Sequence, residues 1–147
     1  VYAPYLNELY EACKGKGAML NGRSIHVSGK NDTQESVVST GFPIDKDRNP
    51  DNNLDNLARI LPMVRGVRRQ GSAAFDLCCV AAGILDGYWE FNLHLWDVCA
   101  GILIVTEAGG TVRSFREDRN VPIVVGTPAI VEQLYPRLSD KPGKICL

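Results

Sequence analysis

Apolar positions along this chain follow two alternating rhythms, a short one suited to strands and a longer one suited to helices. The first third reads as strands and turns. Residues 1–5 look like strand interior, residues 8–13 form a short mixed run, and Gly15 and Gly17 punctuate the next stretch. Asn21-Gly22 is a hairpin signal ahead of a strand over 24–28. Residues 36–40 form a β-prone run ended by Gly41-Phe42-Pro43, and a polar loop carrying Pro50 spans 45–53. The rhythm then changes. Leu54, Leu57, Ala58 and Leu61 fall at helical spacing, which predicts a helix that buries this stripe and stops at Pro62. Residues 66–70 have the length of a strand. Gly71-Ser72 opens a second helix over 73–85, apolar nearly all round and so expected to be buried on both sides.

Gly87 reads as the C-terminal glycine of that helix, and 88–91 as a strand. Trp96-Asp97 begins a third helix over 98–108, closed by Gly109-Gly110. Two short strands come next, around 111–114 and 123–125. Thr127-Pro128 supplies a capping hydroxyl and a first-turn proline for a last helix running to about Tyr135. Strands alternating with helices predict an α/β (mixed α+β) fold, a mixed β-sheet flanked by helices. One domain over 1–140 and a frayed tail over 141–147 suit a chain of 147 residues.

Composition narrows the function classes. Hydrophobic residues are 45% and charged residues 22%, ordinary for a globular chain rather than a disordered or fibrous one. The net charge of −1 gives no basic field for nucleic acid or acidic lipid. The greasiest stretch, 77–85, is broken by Gly83 and is far short of a membrane span. Five cysteines without a C-x-x-C pair read as reduced, mostly buried thiols. No leader opens the chain, which predicts a cytoplasmic protein. Its first residues already resemble strand interior, so either it is cut from something longer or its register begins abruptly.

Three places look able to meet a ligand. At Gly71-Ser72-Ala73 a glycine and two small residues leave the N–H groups of a helix start unshielded, which suits phosphate or hydroxyl oxygens; close packing around a serine cap is the alternative. Asp97, at the next helix start, is either an N-cap or a carboxylate ligand for a hard divalent cation such as Mg²⁺. Glu90, between Trp89 and Phe91, is either a solvated strand residue or an acceptor of substrate hydroxyls at the sheet edge. Gly15-Lys16-Gly17 lacks the third glycine and the succeeding helix of a nucleotide loop and reads as a hairpin. Two histidines without suitably spaced cysteines do not suggest zinc, and no G-x-S-x-G occurs. Arg65, Arg68 and Arg69 either bind an anionic substrate or solvate a strand edge.

Longer blocks carry a resemblance. Gly71-Ser72-Ala73-Ala74-Phe75-Asp76-Leu77, then Asp86-Gly87-Tyr88-Trp89-Glu90, then Trp96-Asp97-Val98-Cys99-Ala100-Gly101 with Glu107-Ala108-Gly109-Gly110 resemble the inositol monophosphatase family. Gly15 through Gly22 and Gly126-Thr127-Pro128 extend the likeness over nearly the whole chain. The resemblance implies a layered sandwich of sheets and helices and Mg²⁺-dependent hydrolysis of small phosphate monoesters. It implies substrate contacts from Gly71, Ser72, Ala73, Glu90 and Asp97, and a metal ligand in Asp97. Ser72 stands where the family often has Thr. The family's other metal carboxylates, a Glu-Glu pair and a D-x-x-D-G-T segment, do not occur here. The resemblance is therefore to the C-terminal half alone, with an N-terminal half and a second copy as implied partners and little activity expected of this chain by itself. A non-catalytic binding or assembly module is the competing expectation. Within the enzyme class, fructose bisphosphate, histidinol phosphate or a nucleotide phosphate are alternative substrates.

Overall fold

The computed structural model describes residues 1–118 and 120–138, so the expected tail and Cys146 lie outside the described residues. The first 25 residues form an antiparallel meander of β1 (Tyr2–Ala3), β2 (Glu8–Ala12), β3 (Ala18–Leu20) and β4 (Arg23–Ile25) in chain order. Residues 1–5 are not all strand. Only Tyr2 and Ala3 pair with β2, and Pro4, which has no N–H to give a ladder, begins a turn. The Asn21-Gly22 turn has φ of 49° and 74°, the positive pair that matches strand twist in a two-residue hairpin. The glycine pair of the other hairpin donates its Gly15 and Gly17 N–H groups to the carboxylate of Glu107 at 2.8 and 2.9 Å. That loop therefore binds an internal acid.

The second sheet has five strands: β5 (Val37–Thr40), β6 (Gly66–Arg68), β7 (Gly87–Glu90), β8 (Thr111–Ser114) and β9 (Ile123–Gly126), in the order β6-β5-β7-β9-β8. β5 runs parallel to both β6 and β7, whereas β9 is antiparallel to β7 and β8. Helices α1 (Leu54–Ile60), α2 (Ala73–Ala81) and α3 (Leu95–Glu107) come after β5, β6 and β7, and α4 (Pro128–Leu134) after β9. The fold is thus mixed α/β, as expected. The crossovers through α1 and α2 move along the sheet in opposite directions, so one handedness puts them on opposite faces. Alternate strand residues divide in the same way. Val38, Trp89 and Val124 pack with Ile60, Ile130 and Leu134, while Tyr88, Ile123 and Val125 pack with α2 and α3. The meander covers the far side of α2 and α3 through Tyr10 and Ala18.

Four sequence expectations shift. The α1 stripe is wrong: Leu54 and Leu61 are 40% and 50% exposed, and the buried face is Asn56 and Ile60 with Asn53 at the cap. Polar partners in the sheet override the hydrophobic period there. Pro62 does end the helix, in a 3₁₀ turn over Leu61–Met63. α2 ends at Ala81 rather than residue 85, and the positive-φ glycine beyond it is Gly83, at 70°. Gly87 lies inside β7, where a Cβ would press on Ile130 and Val38. Cys78 and Cys79 are buried, but Cys13 and Cys99 are exposed. Burial pushes the Cys78 thiol up to about 12 and keeps it protonated.

α2 and α3 cross where α3 has no side chain. A Cβ at Gly101 would lie 2.7 Å from Leu77 Cβ, too near the backbone for a rotamer change to relieve. Gly101→Ala gains about 1 kcal/mol of helix propensity but forces an overpacking cost of roughly 1–3 kcal/mol. A net loss of stability is expected, read as a lower urea midpoint. The Glu107 contact predicts a pH effect. Its hydrogen bonds from Gly15 and Gly17 hold the carboxyl below the usual range. Their contribution is therefore complete above the ordinary glutamate value of about 4.3 and disappears as pH falls through the lowered one. Amide shifts of Gly15 and Gly17 should titrate at that lowered midpoint, and Glu107→Gln should abolish the transition.

Candidate functional site

Three parallel strands end on the same side of the sheet, and the chain leaves β5 and β6 toward helices on opposite faces. Adjacent parallel strands whose connections diverge in this way leave a crevice at their carboxyl ends. A cleft of about 420 Å³ occupies this corner, within the range of small-molecule sites. Thr40, Gly41 and Phe42 line it from the end of β5, and Arg69 with Gly71, Ser72, Ala73, Ala74 and Asp76 from the β6–α2 connection. Glu90 enters from β7, and Leu93, Trp96 and Asp97 from the start of α3. Gly71, Ser72, Ala73, Glu90 and Asp97, singled out from the sequence, therefore line one cleft, and of the three arginines weighed as anion binders Arg69 lines it while Arg65 and Arg68 do not.

The α2 corner is open in the sense anticipated. Gly71 takes φ 88°, a left-handed conformation that favours glycine. Ser72 occupies the N-cap, but its hydroxyl makes no capping bond. The first helical N–H groups to bond inward belong to Phe75 and Asp76, both to the Ser72 carbonyl. The N–H groups before them, at the positive end of the helix, border the cleft without a side-chain acceptor of their own helix.

Asp97 is not the N-cap. His94 holds that position, and Asp97, third in the helix, accepts the His94 backbone N–H at 2.8 Å. One oxygen thus braces the helix start while the residue stays half-buried on the cleft wall. His94 stacks on Trp96 with ring centroids 4.3 Å apart, and Trp96 is 74% exposed at the mouth.

Glu90 is not at a sheet edge. β7 is the central strand of five, and Glu90 is half-buried at its carboxyl end. Tyr88, two residues back on the same face, donates its hydroxyl to Glu90 Oε2 at 2.5 Å. Burial holds the Glu90 carboxyl above the usual range. The Tyr88 bond opposes this shift, the charge of Asp76 adds to it, Arg69 opposes it, and Asp97 adds a smaller contribution. Asp76 was missed as a site residue. It is 2% exposed, receives Gln70 Nε2 at 3.0 Å, and burial pushes its carboxyl up as well. Its position one turn after Ser72 was the available signal. Thr40 and Gly41 carried none, because only strand order brings residues 40 and 90 together.

The cleft offers backbone donors at α2, an exposed guanidinium at Arg69, and acids on the remaining walls. That combination suits an anion carrying hydroxyl groups. A divalent cation needs several acidic oxygens. Among the described residues, no three His, Cys, Asp or Glu side chains gather into a metal-holding group. Also among the described residues, no helix is long and apolar enough to cross a membrane.

Comparison with known proteins shows the family and the fold. The family model described as the inositol monophosphatase family matches residues 1–141. An inositol-1-monophosphatase from Synechocystis is 46% identical over 115 residues, 78% of this chain and 40% of that protein. The Nus factor SuhB of Pseudomonas aeruginosa is 44% identical over 122 residues, 78% of this chain and 43% of that protein. The solved inositol monophosphatase from Anabaena superposes with a TM-score of 0.86 at 37% identity, covering 92% of this chain and 56% of that one. The chain spans about half the length of the relatives it matches.

The contact between residues 41 and 90 is directly testable. A Cβ at Gly41 would overlap the Glu90 carboxylate. Gly41 lies outside the left-handed region, so alanine brings no backbone strain of its own. Gly41→Ala should drive Glu90 out of its half-buried position and return its carboxyl toward the ordinary range, as measured by carbon-detected NMR titration. An unmoved titration would contradict the contact.

Proposed function

Because this chain belongs to the inositol monophosphatase family, we propose that residues 1–140 are the C-terminal domain of a magnesium-dependent phosphatase acting on small phosphate monoesters, inositol monophosphate foremost. One observation carries the reading: the open start of α2, Glu90 on the central strand and Asp97 on α3 converge on a single cleft. In this assignment the N–H groups around Ser72 and Ala73 and the guanidinium of Arg69 receive phosphoryl oxygens. Glu90, kept oriented by Tyr88, accepts a hydrogen bond from a ring hydroxyl, which suits a hydroxyl-bearing ester. Asp97 serves as one magnesium ligand and also faces the substrate.

The described residues do not fit a complete magnesium site, since no metal-holding group gathers among them. The remaining acids come, on this reading, from the N-terminal half of the same enzyme. The working unit is taken to be a cytoplasmic homodimer that binds neither nucleic acid nor membrane. What this chain contributes is orientation. It seats the phosphate at a helix N-terminus and holds the alcohol side with a carboxylate, so that displacement at phosphorus proceeds from one geometry. A second reading, a binding or assembly module, draws support from relatives named Nus factors rather than phosphatases.

Turnover of inositol monophosphate with Mg²⁺ separates the readings. The chain alone should be nearly inactive, and supplying the N-terminal half should restore turnover; full activity of the chain alone would show that the missing acids have been wrongly placed. In the assembled enzyme, Asp97→Asn should keep its fold, because an asparagine oxygen can still accept the His94 N–H. It should lose on the order of 100-fold in rate with the charge. Unfolding of that variant would instead make Asp97 a structural residue.

A further inference from the structure

We propose that Asn53 is a positioning residue for the hydroxyl-recognising wall of the cleft, acting through Gly41 on Glu90. The inference rests on the reading of Glu90 as a hydroxyl acceptor. Asn53 stands at the N-cap of α1, where asparagine is among the best capping residues, yet its side chain caps nothing. It is 1% exposed and takes φ 71°, and its amide reaches across the sheet. Nδ2 donates to the Gly41 carbonyl at 2.7 Å and to Thr40 Oγ1 at 2.9 Å. Oδ1 accepts Trp89 Nε1 at 3.0 Å and Asn56 Nδ2 at 2.9 Å. Both donors and both acceptor sites of the amide are thus used.

These bonds tie together the two strand ends that make the wall. Thr40 Oγ1 passes the link on, donating to the Trp89 carbonyl at 2.7 Å, one residue before Glu90. Gly41 is where the link becomes specific, because its bare Cα makes the room that the Glu90 carboxylate occupies. If the 40–41 corner drifts, Glu90 gains freedom and loses the orientation that a hydroxyl must meet. Asn53 is itself held on both sides. Two residues back, Asp51 forms a buried ion pair with Arg116 Nη1 at 2.8 Å; three residues on, Asn56 Oδ1 accepts Arg59 Nη2 at 2.6 Å. The corner is therefore referred to the β8–β9 side of the domain rather than left to a flexible loop.

Asn53→Asp is the informative change. Aspartate tolerates positive φ and keeps oxygens for Trp89 and Asn56, but it cannot donate to Gly41 and Thr40. The assembled enzyme is assayed on inositol monophosphate and on phenyl phosphate, which has no hydroxyl for Glu90. Asn53→Asp should lower the ratio of kcat/KM for the two substrates about tenfold, the value of one oriented hydrogen bond, mostly through the inositol ester. Added to Glu90→Gln, it should lower the ratio no further, because both act through one carboxylate. An equal fall for both substrates, in both backgrounds, would make Asn53 merely structural and overturn the proposal. Should the aspartate variant fail to fold, Asn53→Gly suits the same φ and is scored in the same way. The carboxyl carbon shift of Glu90 separates the two claims. If Glu90→Gln leaves the ratio unchanged, hydroxyl recognition fails, whereas a Glu90 signal that does not move in Asn53→Gly overturns the positioning role by itself.

Discussion

A carboxylate at the end of the central strand of a sheet is costly to keep half-buried, and the local structure is organised around it. Glu90 fits only because residue 41 has no side chain, and it keeps a defined direction because Tyr88, two residues earlier on the same strand face, donates to it. Removing a charge from water destabilises its ionised form. Neither Tyr88 nor the exposed Arg69 cancels that effect, since the group remains shifted upward. A ligand hydroxyl that donates to this oxygen would meet a demand the protein has left partly open. The same corner holds the α2 helix start, whose N–H groups face the cleft without a serine cap to satisfy them. Strand order makes the coincidence possible. β5 and β6 lie side by side and send their helices to opposite faces, so their ends cannot be covered by either helix.

Much of this was legible in the sequence wherever a local rule decides the outcome. Asn21-Gly22 could form only a tight turn of positive φ without strain, and it does. Thr127 caps α4 through the Ile130 N–H, with Pro128 in the first turn. The α2 segment, apolar nearly all round, is buried from Asp76 through Ala81. Gly71, Ser72 and Ala73 were readable as a helix start because small residues at such a place have few other uses. Of the two alternatives for Asp97, the N-cap is off by the smallest step, since Asp97 is third in its helix and His94 at the cap leaves no strong sequence signal.

The rest depended on partners far along the chain. In α1 the leucines at helical spacing lost to Asn53 and Asn56, whose amides bond to one another and, through Asn53, to Thr40, Gly41 and Trp89. Hydrophobic periodicity counts greasy residues and is blind to a buried amide that is fully satisfied. Gly83 and Gly87 look alike in a string; one is needed for φ and the other for space against Ile130 and Val38. Thr40 and Gly41 entered the site through strand order alone, which no local pattern encodes, whereas Asp76 followed from its place one turn after Ser72.

On the proposed reading, the charges of the cleft bear on a dependence on cations. A phosphate ester approaching the cleft meets the start of α2, worth roughly half an elementary charge, and the guanidinium of Arg69. Asp97 and Glu90 line the same space from α3 and β7, and Asp76 lines it from the first turn of α2 itself. Burial shifts the carboxyls of Glu90 and Asp76 upward and softens their opposition to the ester, while Asp97 is fixed on the α3 side of the cleft by the His94 N–H. A helix terminus that would bind an anion by itself is here set against acids that repel it. Such an arrangement is poor as a simple phosphate receptor. On the proposed reading it becomes effective when positive charge joins the acids, and the carboxylates that oppose the ester alone then admit it together with its counter-ions. The dependence on a metal is then, on the same reading, a consequence of that charge balance, and the acids that complete the site come from the N-terminal half.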